Sequence, residues 1–207
     1  MVVPLSFAIT EFLKVFIPLF VVIDPFGAML VFMTMAGSLE THERRVITAD
    51  AVIYGFIILV FFALFGNELL YFFGISIAAI EIAGGIILLI MSVQMVREGD
   101  RPKSAGGNVE RDVGIVPLAT PLLAGPGAIS LVIILMNGGL SHFVFTIVSL
   151  IVVFGIIFLF FTFSDRILRL VGEKALKVVT RVLGILVAGF AIQYFLDAIT
   201  LIYTGLA

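Results

Sequence analysis

Cysteine is absent from the 207-residue chain, which excludes disulfides, thiol catalysis and thiolate metal sites. Histidine is nearly absent too: only His42 and His142 occur, both in segments expected to be loops. Charged residues make up 13% of the chain, too few to give a soluble domain of this length its polar surface. No glycine-rich ATP-binding motif, histidine pair of metalloprotease spacing or Gly-x-Gly-Asp pattern is present, so intramembrane enzymes and ATP-driven pumps lack their signatures. Nothing in the sequence points to a metal, a cofactor or a nucleic acid partner.

What remains is apolar. Hydrophobic residues make up 62% of the chain and mean hydropathy is +1.29. Apolar runs recur at about 20 residues, the length a helix needs to cross a bilayer. The short alternating segments of a transmembrane barrel are missing. These features predict an all-α polytopic membrane protein with six spans, near residues 6–35, 46–65, 77–96, 114–136, 143–163 and 178–202. Gly66-Asn67-Glu68 reads as the start of a turn and residues 165–177 as a basic linker. The first span has neither a basic leader nor a small-residue cleavage pattern and is expected to be retained.

Of twelve Lys and Arg residues, eleven fall in or beside the 1–2, 3–4 and 5–6 loops, and only Lys14 falls on the other side. The positive-inside rule makes those loops cytoplasmic, with both termini outside a cytoplasmic (inner) membrane.

The chain reads as one membrane domain, 1–207, made of two three-span halves, 1–97 and 114–207, joined by a cytoplasmic linker, 98–113. Pro25-Phe26-Gly27-Ala28 in span one matches Pro126-Gly127-Ala128 in span four. Glu81-Ile82-Ala83-Gly84 in span three matches Arg181-Val182-Leu183-Gly184 in span six. Of the seven prolines, five lie in the first span of a half (Pro18, Pro25, Pro117, Pro121 and Pro126). An odd number of spans per half inverts the second half relative to the first. Paired broken helices at equivalent positions of inverted repeats point to the substrate site of a secondary transporter.

A break in mid-membrane frees amides at the start of one half-helix and carbonyls at the end of the other. In the first break the amides of Phe26, Gly27 and Ala28 and the carbonyls of Val21, Val22 and Ile23 are freed. In the second, the amides belong to Gly125, Gly127 and Ala128, and the carbonyls to Leu122, Leu123 and Ala124. Both polarities at one cavity suit a zwitterion, and the glycines leave room for only a small side chain. Asp24 stands before a proline, as an N-cap does, and an ionisable residue in a membrane is also a candidate for ammonium binding or proton coupling. Thr120-Pro121 repeats the cap arrangement with a neutral oxygen.

The substrate-binding set expected on this basis is Ile23, Asp24, Phe26, Gly27, Ala28, Thr120, Leu123, Ala124, Gly125, Gly127 and Ala128. Asp24, Asp50, Glu81 and Asp197 are candidates for ion coupling; Asp50 is equally explicable as an interfacial residue, and the positions of Glu81 and Asp197 near outer span ends favour the interfacial reading. Glu11 and Lys14 are spaced to pair. Gly84-Gly85, Gly184 and Gly189 suit close helix packing, and Phe158-Leu159-Phe160-Phe161 suits a lipid-facing or core position.

The sequence resembles the MarC family of integral membrane proteins. The resemblance rests on Asp24-Pro25-Phe26-Gly27-Ala28, on Phe73-Gly74-Ile75-Ser76 leading to Ile82-Ala83-Gly84-Gly85, on Pro121-Leu122-Leu123-Ala124-Gly125-Pro126-Gly127-Ala128-Ile129, and on Gln193 with Asp197. It implies six helices in an inverted repeat. It also implies uptake of small neutral amino acids, glycine and alanine, coupled to an ion gradient of protons or, alternatively, sodium. Relatives often carry Asn at the position of Asp24 and a basic residue at that of Glu81. A channel, an exporter of another small solute and a non-transporting membrane accessory protein are the alternatives. The oligomeric state is open.

Overall fold

The computed structural model describes residues 5–36, 39–97, 123–137 and 140–205. The described residues form eight helices: α1 Leu5–Ile23, α2 Pro25–Ala36, α3 Thr41–Phe73, α4 Ile77–Arg97, α5 Pro126–Met136, α6 Leu140–Thr162, α7 Ser164–Val171 and α8 Glu173–Thr204. Among the described residues five stretches are long and apolar enough to cross a membrane: Ala8–Ala36, Thr41–Phe73, Ile77–Arg97, His142–Thr162 and Glu173–Thr204. The helix Pro126–Met136 is apolar but shorter. The first part of the expected fourth span lies outside the described residues.

Local sequence accounts for most helix ends. Glu43 Oε2 accepts the backbone N–H of Glu40 at 3.3 Å, closing the first turn of α3. Gly74 ends α3 at φ 66°, a left-handed conformation that glycine adopts without steric cost, and its N–H returns to Leu70 and Tyr71. The turn expected at Gly66-Asn67-Glu68 does not occur. A Cβ on Gly66 would meet Ile133 Cγ1 at 2.5 Å, so this glycine serves close packing of α3 on α5 within an unbroken helix. His42 and His142 lie in the first turns of α3 and α6 rather than in loops. The basic stretch 165–177 is likewise helical, turning between α7 and α8 at Gly172 with φ 82°.

The core is mostly apolar, with Leu19, Met29, Phe32, Leu131, Leu150, Phe161 and Val187 fully buried. Phe32 and Phe161 stack with ring centroids 4.4 Å apart. Outward faces carry exposed Ile57, Ile90, Ile151 and Ile185, as expected where the solvent is lipid. The most extensive helix pair is α4 with α8. There a Cβ on Gly85 would meet the Ala191 carbonyl at 3.0 Å, and one on Gly184 would meet Met95 Cβ at 2.8 Å. Small residues at these points let the two antiparallel backbones approach. Gly189 differs from the expectation: a side chain there would meet open space.

Helix α2 packs on α6 and α8, while α5 packs on α3 and α4; α3 also contacts α6, and α1 contacts α5, α6 and α8. Arg44 of α3 reaches Asp165 of α7 at 2.8 Å. The start of α3, the last turns of α4, the end of α6, α7 and the start of α8 therefore share one end of the bundle. Glu11 and Lys14 pair at 2.7 Å near the other end, with His142 Nε2 at 3.8 Å from Glu11.

Candidate functional site

The break between α1 and α2 is a single residue wide. Asp24 has φ 46°, the only non-glycine residue with positive φ among those described. Asp and Asn enter this region more readily than other side-chain-bearing residues, because their short polar side chains bond locally. The Asp24 N–H still donates to the Phe20 carbonyl at 3.1 Å, and the Asp24 carbonyl accepts from Ala28 N–H at 2.9 Å. Asp24 thus closes one helix and opens the next.

Its carboxylate completes the cap. Oδ1 accepts the Gly27 N–H at 3.1 Å, and the Phe26 N–H faces the same carboxylate. Pro25 occupies the first helical position, where a missing N–H costs nothing. A Cβ on Gly27 would collide with Asp24 Oδ2, so the glycine is what leaves room for the capping carboxylate. Asp24 is 8% exposed, and no cation pairs with it among the described residues.

This cap alters the expected polarity of the break. The amides of Gly27 and Ala28 are taken by Asp24, whose carboxylate also faces the Phe26 amide, so an anion would meet a carboxylate here. The carbonyls are in the opposite condition. In a continuous helix Val21 would accept from residue 25, a proline with no N–H, while Val22 and Ile23 would accept from Phe26 and Gly27. Three buried carbonyls and a carboxylate thus cluster at this point. It is an acceptor-rich break, suited to a cation or an ammonium.

Sequence reasoning missed one neighbour. Thr180 of α8 has its Cγ2 3.5 Å from the position a Gly27 Cβ would take. The Thr180 hydroxyl is buried and has no hydrogen-bond partner among the described residues. Such a group is costly unless something supplies the bond. Thr146 and Ser149 of α6 are also buried with unpartnered hydroxyls. A lone hydroxyl in an apolar run carries no sequence signal; only its tertiary position marks it.

The second break is built differently. Leu123, Ala124 and Gly125 are buried, and Gly125 is extended at φ −69°, ψ 166° before Pro126 opens α5. Among the described residues no side chain caps this helix, and the Gly127 and Ala128 N–H groups have no acceptor. A helix start with uncapped amides favours an anion. Gly127 packs tightly on α4: a Cβ there would meet Leu88 Cδ2 at 2.7 Å and Met91 Sδ at 2.8 Å. Leu123 lies beside Gly55 of α3. Thr120 and Leu122 lie outside the described residues.

Of the remaining expected site residues, Ile23 and Ala28 are buried at the first break, and the Phe26 ring stacks edgewise between Phe20 and Phe160. Phe26 is thus an aromatic wall on the α1–α6 side. The ion-coupling candidates do not form one cluster. Glu81 is buried on α4, within electrostatic range of Asp197 and Tyr194 on α8. Asp197 is exposed and accepts a 2.8 Å bond from Gln193 Nε2. Seventeen residues of α8 separate Asp197 from Thr180, roughly 25 Å at 1.5 Å per residue. Asp50 is half-buried on α3, away from both groups along the chain.

The fold is that of an integral membrane protein with a discontinuous first span. The model of the MarC family integral membrane proteins matches residues 9–203, and the chain belongs to that family. It is 35% identical to a UPF0056 membrane protein of Methanocaldococcus jannaschii over 91% of this chain and 95% of the relative. It is 32% identical to a UPF0056 membrane protein of Archaeoglobus fulgidus over 91% and 92%. The UPF0056 inner membrane protein YhgN of Escherichia coli is 28% identical over 94% and 99%. No solved structure matches.

Proposed function

We propose that this protein is a secondary transporter of small neutral amino acids, glycine and alanine, working by alternating access around two discontinuous helices of an inverted repeat. One observation carries the reading: the first break offers acceptors and the second offers uncapped amides. A zwitterion needs both. Its ammonium would lie against the carbonyls of Val21, Val22 and Ile23, with Asp24 and Thr180 beside them, and its carboxylate against Gly127 and Ala128. On this reading the substrate side chain is a hydrogen or a methyl group, in keeping with the close packing of protein atoms around Gly27 and Gly127.

The packing pattern supports the repeat. Exchanging α2 with α5, α3 with α6 and α4 with α8 turns the α2–α6 contact into α5–α3 and the α2–α8 contact into α5–α4. It leaves α3–α6 and α4–α8 unchanged, the pattern of two halves related by a two-fold axis. With the expected fourth span counted as a sixth crossing, the basic end faces the cytoplasm and both termini lie outside the inner membrane. The coupling ion on this reading is the proton, with Asp24, Asp50, Glu81 and Asp197 as the acidic groups available. The site performs no covalent chemistry.

Equilibrium dialysis of the purified protein with labelled glycine, alanine and leucine tests the reading. Saturable binding of the first two, and none of leucine, is the expected result. Absence of saturable binding for all three contradicts it.

A further inference from the structure

We propose that the cleft between the first two turns of α3 and the α6–α7 corner binds the phosphate headgroup of an anionic phospholipid. The cleft has a volume of about 640 Å³ and is lined by Arg44 and Arg45 of α3 and by Arg166 and Arg169 of α7. Asp165 is the one carboxylate among the described residues of its wall.

That carboxylate is already engaged. Arg44 Nη1 donates to Asp165 at 2.8 Å, Arg44 Nη2 donates to Ser164 Oγ at 2.9 Å, and the guanidinium lies 5.7 Å from the Phe32 ring centroid. Arg45, Arg166 and Arg169 have no ion pair among the described residues. Three unneutralised guanidinium groups around one cavity repel each other, and an anion between them relieves that repulsion. Guanidinium groups hold phosphate oxygens through paired N–H donors, so phosphate suits the geometry better than a halide does.

The rest of the cleft selects a lipid over a free anion. Phe158 and Phe163 also line it, and each is more than two-fifths exposed. Helix α7 is amphipathic: Ile167 and Leu168 pack on the core, Arg166 and Arg169 are exposed, and Leu170 is 86% exposed. A short helix of this kind at the end of a spanning helix lies at headgroup depth, with its apolar residues reaching the acyl region. The cleft therefore has cationic groups where lipid phosphates sit and aromatic surface where the glycerol and chains begin. Basic pockets of this kind recruit anionic lipid headgroups.

The test is native mass spectrometry of the full-length protein released from micelles doped with equal phosphatidylglycerol and phosphatidylcholine. Retained phosphatidylglycerol is expected to exceed phosphatidylcholine at least tenfold. Arg166→Gln/Arg169→Gln is expected to abolish that preference. Arg97→Gln/Lys174→Gln removes two positive charges from the same end of the bundle but outside the cleft, and is expected to keep it. Arg45→Gln alone, which leaves α7 untouched, is expected to reduce retention at least threefold, so misfolding of the double variant does not decide the matter. Equal losses in the two double variants would overturn the proposal in favour of diffuse surface charge. Displacement of phosphatidylglycerol by inorganic phosphate at matched concentration would overturn it in favour of a free-anion site.

Discussion

Oδ1 of Asp24 accepts the backbone N–H of Gly27 at 3.1 Å, and a side chain on Gly27 would occupy the space of the same carboxylate. The two residues are one device. Gly27→Ala should displace the cap and destabilise the protein by about 1 kcal/mol, the usual worth of an N-cap side chain. In an Asp24→Ala background the same Gly27→Ala change should cost much less, because the collision is gone. Thermal unfolding of the four proteins in one detergent reads the coupling, and strict additivity would contradict it.

Asp24→Asn should keep both the positive φ and the acceptor oxygen, since Asn tolerates this conformation as well as Asp does. Its unfolding midpoint should match that of the parent, and its glycine affinity should stay within about threefold if backbone carbonyls do most of the binding, a difference under 1 kcal/mol. Asp24→Leu should lose both properties. Complete loss of glycine binding in the Asn variant would make the charge itself essential.

Thr180→Val separates function from stability. The hydroxyl is buried without a partner, so replacing it with a methyl group should leave stability unchanged or slightly raised. If that hydroxyl bonds the substrate, glycine affinity should fall by about tenfold, one hydrogen bond's worth. Unchanged affinity would place Thr180 outside the site.

Gly127 should be intolerant for a packing reason as well as a binding one. Gly127→Ala drives a methyl against Leu88 and Met91, and overpacking of this kind costs about 1–3 kcal/mol. Leu88→Ala in the same chain should recover part of that loss. Restored stability with glycine binding still absent would assign Gly127 to the site; restored binding as well would make it a packing residue.

The first break was legible because Pro25 has no N–H to give and Asp24 is the residue type that tolerates the turn. Gly66 misled because a glycine followed by Asn and Glu resembles a turn, whereas Ile133 packed over it keeps α3 helical. The basic run 165–177 misled similarly: it looks like a loop by charge but forms α7 and the start of α8 at the bundle's end. The polarity of the first break depended on Asp24 turning its carboxylate back onto the Phe26 and Gly27 amides, a conformational fact that composition does not carry. Thr180 was invisible for the same reason, since only the packing of α8 on α2 brings it to Gly27.

Uptake of labelled glycine into liposomes containing the purified protein decides whether this protein is a transporter. Saturable uptake that alanine competes and leucine does not is expected, with accumulation when an inward proton gradient is imposed at constant sodium. Accumulation driven by sodium alone at fixed pH would replace the proton as coupling ion. Absence of saturable uptake of any small neutral amino acid under either gradient would mean that the protein does not transport them.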